Sequence, residues 1–196
     1  MEIKVMSLTE LLDNLELTIV QNLLETFKGF TTPTSTPHDV EVFLHSKAIT
    51  FEKSGVASTY LLFNQETKEL VGFFSLANKP LIFSKKDFQA LSKSKQKAFN
   101  KHGRRLESGG HQVNSYLIGQ LGKNFGVDSP VSGVELLTFA CQKIQEAARI
   151  INTRYIWIEC DNNPKLLQFY QGFGFTLIEP FNSESGLKVL VLKIKK

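Results

Sequence analysis

The spacing of apolar and polar residues divides the chain into helices and strands. Apolar positions with helical spacing predict helices over residues 15–28 and 133–151, and a shorter helix over 39–49. Two apolar runs separated by six polar residues, 59–63 and 70–76, predict an antiparallel hairpin. Further strands are predicted at 112–121, 155–160, 175–178 and 187–194. The Thr- and Pro-rich segment Thr31–Pro37 is predicted to be a loop.

The order of these elements predicts the fold class. The strand at 112–121, the helix at 133–151 and the strand at 155–160 form a strand–helix–strand unit, whose two strands are normally parallel. The hairpin before it is antiparallel. We therefore predict an α/β (α+β) protein with a mixed, partly parallel central sheet and helices on both faces. The length of 196 residues fits a single domain over 1–196.

Positive charge is concentrated in one segment. Residues 84–110 hold eight Lys or Arg against two acids, a surplus of six, whereas the whole chain has a net charge of +4. The pattern predicts one basic helix over 85–102 that begins at the capping residue Ser84 and ends at Gly103. Such a segment can attract RNA, and its candidate contacts are Lys93, Lys95, Lys97 and Lys101. The alternative is a solvated helix face that binds nothing.

Composition limits the other classes of function. No apolar run approaches the roughly 20 residues needed to span a bilayer, so no membrane association is expected. The N-terminal residues lack the pattern of a secretory signal, and Cys141 and Cys160 fall in core positions. We therefore expect a cytoplasmic protein with reduced thiols. The four histidines lack the spacing of metal ligands, so no metal cofactor is expected.

The stretch NNPKLLQFYQGFGF, residues 162–175, predicts a short helix directly after a buried strand. Asp161 or Asn162 is the predicted helix cap, and Pro164 suits the first turn. Tyr170 falls on the last full turn, and Gly174 ends the helix.

The spacing of this stretch resembles the signature of the GNAT superfamily of acyl-CoA-dependent N-acyltransferases, through Asn163, Leu166, Phe169, Tyr170, Gly174 and Phe175. The resemblance is specific over 112–175, looser over 58–194 and weak over 1–57. It implies acetyl-CoA as cosubstrate, with its pantetheine arm between two splayed parallel strands. Tyr170 would be the catalytic residue that donates a proton or a hydrogen bond to the departing thiolate. The alternative for Tyr170 is a core aromatic. Asn163 would form a hydrogen bond near the pantetheine or cap the helix. The basic segment would be an insertion between the third and fourth strands of that fold.

The resemblance also implies a set of cofactor-binding positions, which are Gln120, Leu121, Gly122, Lys123, Ser132, Gly133, Val134, Asn163 and Tyr170. The phosphate loop departs from the family pattern, because only Gly133 matches and Asp128 replaces a basic or amide residue. The backbone amides at Ser132–Val134 can still form the cradle, and Lys123 can compensate for the lost charge. The N–H of Leu121 would polarise the acetyl carbonyl. The alternative to a phosphate-binding loop is an ordinary strand–helix connection before Gly133.

The predicted function is transfer of an acetyl group from acetyl-CoA to a primary amine of unknown identity, by direct attack. The strand from His111 to Gly122 contains no carboxylate. This absence favours an amine of low pKa, or a water relay to Glu159 or Asp161. One alternative is acetylation of aminoacyl-tRNA, because GFFSLA at 72–77 and YLIGQLG at 116–122 resemble the layout of toxin-type members. The other is a non-catalytic binding module of the same fold. A homodimer is left open.

Overall fold

The computed structural model describes residues 2–30, 38–128 and 130–194. The predicted loop Thr31–Pro37 lies outside them. The strands are β1 Ile3–Ser7, β2 Ser58–Asn64, β3 Leu70–Ala77, β4 Leu81–Phe83, β5 Gly103–Arg105, β6 His111–Val113, β7 Ser115–Lys123, β8 Tyr155–Cys160, β9 Thr176–Asn182 and β10 Lys188–Lys193. The helices are α1 Leu8–Asn14, α2 Leu17–Glu25, α3 Asp39–Ser46, α4 Ala48–Lys53, α5 Lys85–Ala90, α6 Lys93–Asn100, α7 Gly133–Ile150 and α8 Pro164–Phe173.

The chain forms two compact units. The first comprises Met1–Ala77 and Ile118–Gln142, and the second comprises Asn78–Leu117 and Lys143–Lys196. Strand β7 contributes residues to both units, and it belongs to a mixed sheet of seven strands. This sheet and its helices confirm the predicted mixed α/β class.

In the first unit β1, β2 and β3 are antiparallel neighbours, which confirms the predicted hairpin. The region predicted as one helix over 39–49 is divided into α3 and α4 at Lys47, which is the C-terminal cap of α3 and the N-terminal cap of α4. Their apolar faces share a core with α1, α2 and the strands, in which Phe27 meets Phe73 edge-on with ring centroids 5.0 Å apart. Helix α1 and strand β1 were not predicted.

In the second unit β7 and β8 are parallel, as predicted. Their paired register covers Ser115–Leu117 opposite Tyr155–Trp157, and both strands continue beyond it. Strand β10 pairs antiparallel with both β8 and β9. The residues of β8 from Tyr155 to Ile158 are buried, which explains the continuous apolar run in the sequence.

The prediction of one basic helix over 85–102 is wrong. The segment forms two helices, α5 and α6, because Leu91 adopts an extended backbone with its side chain buried. Ser92 then caps α6 by accepting a hydrogen bond from the N–H of Lys95 at 3.3 Å. The predicted cap at Ser84 is confirmed. Gly103 begins β5, which joins β4 and β6 in a separate three-stranded sheet. The predicted strand 112–121 is likewise divided, with Asn114 between β6 and β7.

Within the described ranges, no helix is both long and apolar enough to cross a bilayer. The same residues contain no group of three or more His, Cys, Asp or Glu side chains that could hold a metal ion. Cys141 and Cys160 are buried and not disulfide-bonded.

Candidate functional site

Asn163 caps helix α8 in the second unit, so the prediction that Asp161 or Asn162 caps it is wrong, and the alternative that Asn163 caps it is confirmed. Asn163 has an extended backbone, and its Oδ1 accepts a hydrogen bond from the N–H of Lys165 at 2.9 Å. Pro164 follows in the first turn, where its missing N–H costs nothing. The helix ends at Gly174, whose φ of +113° lies in the left-handed region that favours glycine. These two ends fix the position of Tyr170 on the last turn.

Tyr170 is half-buried between aromatic neighbours. Its ring centroid lies 5.0 Å from that of Phe169 and 6.0 Å from that of Phe175, both in edge-on geometry. The backbone N–H of Phe175 donates to the carbonyl of Tyr170 at 3.0 Å. Removal from water, with a smaller contribution from Cys160, raises the pKa of Tyr170 to about 12. The phenol is therefore a protonated hydrogen-bond donor at neutral pH.

This pKa bears on the two roles predicted for Tyr170. A thiol has a pKa of about 8.5, so a thiolate is a much weaker base than this phenolate. Complete proton transfer from Tyr170 (pKa about 12) would be uphill to a thiolate in water, and burial of the thiolate in the same site would reduce this difference. A protonated phenol can donate a hydrogen bond to the sulfur in either case.

Cys160 ends β8 and influences the titration of Tyr170. It is buried, and burial together with the negative charge of Asp161 raises the pKa of its thiol. The thiol is therefore protonated at neutral pH and is a poor nucleophile. This arrangement fits direct transfer better than an acyl-cysteine intermediate.

The predicted positions 120–123 lie at the end of β7 in the first unit. Gln120 and Leu121 are half-buried, whereas Gly122 is buried. A Cβ atom on Gly122 would lie 2.5 Å from Val40 Cγ1 and 2.8 Å from a Phe73 ring atom. Gly122 is thus required for close packing against the core. The ammonium group of Lys123 lies 5.4 Å from the centroid of the Phe125 ring.

Asn124 holds the loop after β7, a role that was not predicted. Its Nδ2 donates to the carbonyl of Leu70 at 2.6 Å. Its Oδ1 accepts from the backbone N–H groups of Lys28 and Gly126, each at 2.9 Å. Asn is common in such turns because its side chain bonds to the backbone two residues on, so Asn124-Phe125-Gly126 directly after a strand was the available signal.

The two ends of the predicted phosphate loop meet above Gly72. A Cβ atom on Gly72 would lie 2.7 Å from Val131 Cγ1 and 2.9 Å from the carbonyl oxygen of Gly122. The structure therefore brings the end of β7 and the start of α7 together within the first unit. Asp128 in this loop is exposed, and Ser129 lies outside the described residues.

A capping box closes the start of α7. The N–H of Ser132 donates to Glu135 Oε2 at 3.0 Å, and the N–H of Glu135 donates to Ser132 Oγ at 3.2 Å. Ser132 Oγ also donates to Glu135 Oε2 at 2.5 Å. The side-chain and backbone hydrogen bonds from Ser132 lower the pKa of Glu135. The Ser-x-x-Glu spacing at 132–135 was the missed signal.

This box changes the expected phosphate cradle. Of the three amides predicted to form it, the N–H of Ser132 already donates to Glu135. The N–H groups of Gly133 and Val134 belong to the first turn, where helices have no internal acceptor. A pyrophosphate would therefore find two backbone donors and the positive end of the helix, but also an ionised carboxylate. The two backbone N–H groups favour binding of the coenzyme A phosphates, whereas the negative charge of Glu135 repels these phosphates.

Glu159, the predicted relay residue, lines a small cavity in the second unit. Alternation along β8 places Glu159 on the same face as Trp157. Both border a cavity of about 150 Å³ that Phe181 and Glu184 also line. The Trp157 Nε1–H donates to the carbonyl of Lys79 at 2.8 Å, which fixes the indole. Two carboxylates line the cavity, and so does Lys79, whose ammonium group lies 5.6 Å from the centroid of the Trp157 ring. Asp161 is exposed and does not line this cavity.

The four candidate lysines of the basic segment are not equivalent. Lys93, Lys97 and Lys101 are exposed. Lys95 is half-buried, and its ammonium group donates to the carbonyl of Leu177 at 2.9 Å. The predicted RNA-contacting face therefore has three exposed lysines, and Lys95 has a structural role.

Comparison with known proteins finds similarity at the level of the fold. No family model matches the chain, and no curated protein matches it. A structure of AtaT complexed with acetyl-methionyl-tRNAfMet is 18% identical with a TM-score of 0.65, covering 98% of this chain and 95% of that one. A structure of AtaTR bound with AcCoA is 16% identical with a TM-score of 0.60, covering 98% and 93%. A mutant of KacT is 15% identical with a TM-score of 0.62, covering 98% and 95%. The chain therefore has the GNAT fold that the resemblance predicted.

Proposed function

We propose that the protein is an acetyl-CoA-dependent N-acetyltransferase that acts on a primary amine. The observation that carries this proposal is α8, which begins at Asn163 and ends at Gly174 and holds the protonated phenol of Tyr170 on its last turn. A fold alone does not establish an activity. The proposal therefore rests on a feature of the site. Tyr170 is a hydrogen-bond donor at the position that the resemblance assigns to the catalytic tyrosine.

When bound, acetyl-CoA supplies the activated acetyl group. The amine nitrogen bonds to the carbonyl carbon, the carbon–sulfur bond breaks, and the amine loses a proton. Tyr170 donates a hydrogen bond to the sulfur as its negative charge develops, which stabilises the transition state more than the ground state. The backbone N–H of Leu121 is the proposed donor to the carbonyl oxygen. Gln120, Gly122, Lys123, Ser132, Gly133, Val134 and Asn163 remain the proposed cosubstrate-contacting residues.

Glu159 is the proposed proton acceptor, acting through water. It lines a cavity with Trp157, Glu184 and Lys79, and a carboxylate there can accept a proton relayed by water. An α-amine has a pKa near 7.7 and needs little such help, whereas a lysine amine at about 10.4 needs more.

The acceptor that we propose within this class is an aminoacyl-tRNA, whose reactive group is an α-amine. The support is the surplus of six positive charges in residues 84–110 and the bound acetyl-methionyl-tRNAfMet of the structurally similar AtaT. AtaT is also found bound to its antitoxin AtaR, so a proteinaceous partner belongs to this proposal. We further propose that residues 1–196 form one domain made of the two compact units and that it works in the cytoplasm. Both cysteines are free thiols, which fits a reducing compartment.

A non-catalytic binding module is the second candidate, favoured by the carboxylate of Glu135 at the start of α7. Thermal unfolding with and without acetyl-CoA separates the two. A ligand at 100 times its dissociation constant adds roughly 2.7 kcal/mol to the free energy of unfolding. We expect stabilisation by acetyl-CoA that exceeds that by 3′,5′-ADP, which carries phosphates but no pantetheine. Absence of stabilisation at millimolar acetyl-CoA would favour the binding module.

A further inference from the structure

The basic segment contains a cavity that the proposed acetyl transfer does not use. The cavity has a volume of about 250 Å³ and lies wholly in the second unit, where α5, α6 and the turn between β5 and β6 surround it. Its lining combines three kinds of group: an aromatic pair, two cations and three side-chain amides. No carboxylate lines it among the residues that the structure describes.

The aromatic pair is Phe88 and His111. Their rings are stacked with centroids 4.2 Å apart and an interplanar angle of 25°. His111 is only 4% exposed, and its Nε2 lies 3.4 Å from the carbonyl oxygen of Phe99. Among the described residues only Thr59 Oγ1 is both buried and without a hydrogen-bond partner, so His111 Nδ1 is not an unsatisfied buried atom. The imidazole contributes a planar ring to the cavity wall.

The cations are Lys85 and Arg105. Neither forms an ion pair within the described part of the chain. The acid nearest Lys85 in sequence is Asp87, which accepts a hydrogen bond of 2.6 Å from Ser84 Oγ, and the acid nearest Arg105 is Glu107, which is exposed. Lys85 lies in the first turn of α5, where a positive charge is unfavourable for the helix, so helix stability does not explain it. Two unneutralised cations beside a concave surface attract an anion.

The amides are Gln89, Gln96 and Asn100. Gln96 Nε2 donates to the carbonyl of Leu91 at 2.7 Å and to that of Gln89 at 3.2 Å. These bonds hold its side chain in one orientation and leave its carbonyl oxygen as an acceptor. A fixed amide at a cavity wall can read the polar edge of a planar heterocycle.

We propose that this cavity binds a nucleotide, with its phosphate at Lys85 and Arg105 and its base beside the Phe88–His111 pair. The cations alone would suit any anion. The half-buried ring of Phe88 adds an aromatic wall, and the amides add polar recognition of a base edge, which together match a phosphorylated heterocycle. This proposal does not require acetyl transfer, although Lys85 and Arg105 belong to the basic surplus of residues 84–110 that also supports the tRNA acceptor.

Calorimetric titration of the full-length protein tests the proposal, with AMP, GMP, CMP, UMP, hexauridylate and inorganic phosphate as probes. We expect at least one nucleotide or the hexamer to bind more tightly than inorganic phosphate and to shift the imidazole NMR signals of His111. Lys85→Gln and Arg105→Gln should each weaken binding by about tenfold, since each removes a charged hydrogen-bond donor. Lys86→Gln and Arg104→Gln are matched controls, because they remove the same charges from neighbouring positions outside the cavity lining.

Three results would overturn the proposal. The first is that neither the four mononucleotides nor hexauridylate binds. The second is that inorganic phosphate binds as tightly as the nucleotides do. The third is that the control variants lose as much affinity as the test variants. Tighter binding of hexauridylate, with the same dependence on Lys85, would identify RNA as the source of the nucleotide. Binding of mononucleotides alone would identify a free nucleotide.

Acetyl-CoA is itself a nucleotide, so the Lys85→Gln variant is also melted with acetyl-CoA. We expect full stabilisation by acetyl-CoA in this variant. Its loss would mean that the cavity belongs to the cosubstrate, and the proposal of a separate site would be wrong. Circular dichroism of each variant checks that exposed Lys85 and Arg105 are not needed for folding.

Discussion

Ser132 and Glu135 bond to each other through backbone and side chain at the first turn of α7, with the Ser132 N–H 3.0 Å from Glu135 Oε2. This pair stands where the GNAT resemblance predicts a phosphate cradle. The same residues therefore stabilise the helix and place a negative charge beside the amides of Gly133 and Val134. The cost of this charge to coenzyme A binding can be measured.

Glu135→Gln should tighten acetyl-CoA binding by about three- to tenfold, because it removes a charge near the pyrophosphate while Gln preserves the capping box. Isothermal titration calorimetry would measure the change. The matched control is Glu146→Gln, which removes an exposed carboxylate from the same helix. An affinity that is unchanged or weaker in Glu135→Gln would mean that the phosphates bind elsewhere.

Glu135 should also make stability depend on pH. Its pKa is lowered from 4.5 in the folded protein, so the ionised carboxylate is the form that the folded state favours. The stabilisation is therefore fully present above the unfolded pKa and is lost as the pH falls through the lower, folded pKa. We expect the difference in unfolding free energy between parent and Glu135→Gln to favour the parent most at neutral pH. A difference that grows towards acid pH would contradict this sign.

The basic segment should bind RNA through Lys93, Lys97 and Lys101. Replacing these three residues with Gln should lower the slope of log affinity against log salt by about 0.7 to 0.9 for each phosphate that is no longer neutralised. Fluorescence anisotropy with a labelled tRNA, over a range of salt concentrations, would measure this slope. Undetectable binding by the parent at low salt would leave the segment as a solvated face.

Lys95→Gln gives a contrast within the same helix. Because Lys95 donates to the carbonyl of Leu177, its replacement should lower the melting temperature more than Lys93→Gln does. Equal melting temperatures would show that this hydrogen bond contributes nothing to stability.

The elements that repeat a strong pattern were predictable from the sequence. Helix α7 has apolar residues at helical spacing over its whole length, and its predicted range differs by one residue. Helix α8 has a start signal at Pro164 and a stop signal at Gly174, and its Tyr170 lies on the predicted turn. In such segments local propensity and burial point to the same structure.

The errors occur where burial or a local hydrogen bond overrides the pattern. Leu91 interrupts a good helical sequence because its side chain enters a core. Three consecutive polar residues, 161–163, could each cap α8. The backbone geometry shows that Asn163 is the cap. The prediction of the phosphate loop used only glycines and charge, and it missed the Ser-x-x-Glu spacing at 132–135 that indicates the Ser132–Glu135 capping box.

Tyr170→Phe tests the role of the phenol most directly, because the ring remains and only the hydroxyl is removed. Removing one donor to a developing negative charge typically costs about 100- to 1,000-fold in rate. Acetyl-CoA affinity should stay unchanged, since the hydrogen bond forms mainly in the transition state. The phenylalanine ring preserves the packing against Phe169 and Phe175, so the melting temperature serves as the control for folding.

The decisive measurement is the rate of free coenzyme A thiol release from acetyl-CoA by the parent protein and by Tyr170→Phe, with small α-amines and aminoacyl-tRNA as acceptors. The account predicts acceptor-dependent release by the parent and release slowed by about 100- to 1,000-fold in the variant. Equal rates in the two proteins would contradict the role of Tyr170. A parent protein that binds acetyl-CoA but releases no thiol with any acceptor would contradict the proposed acetyltransferase activity.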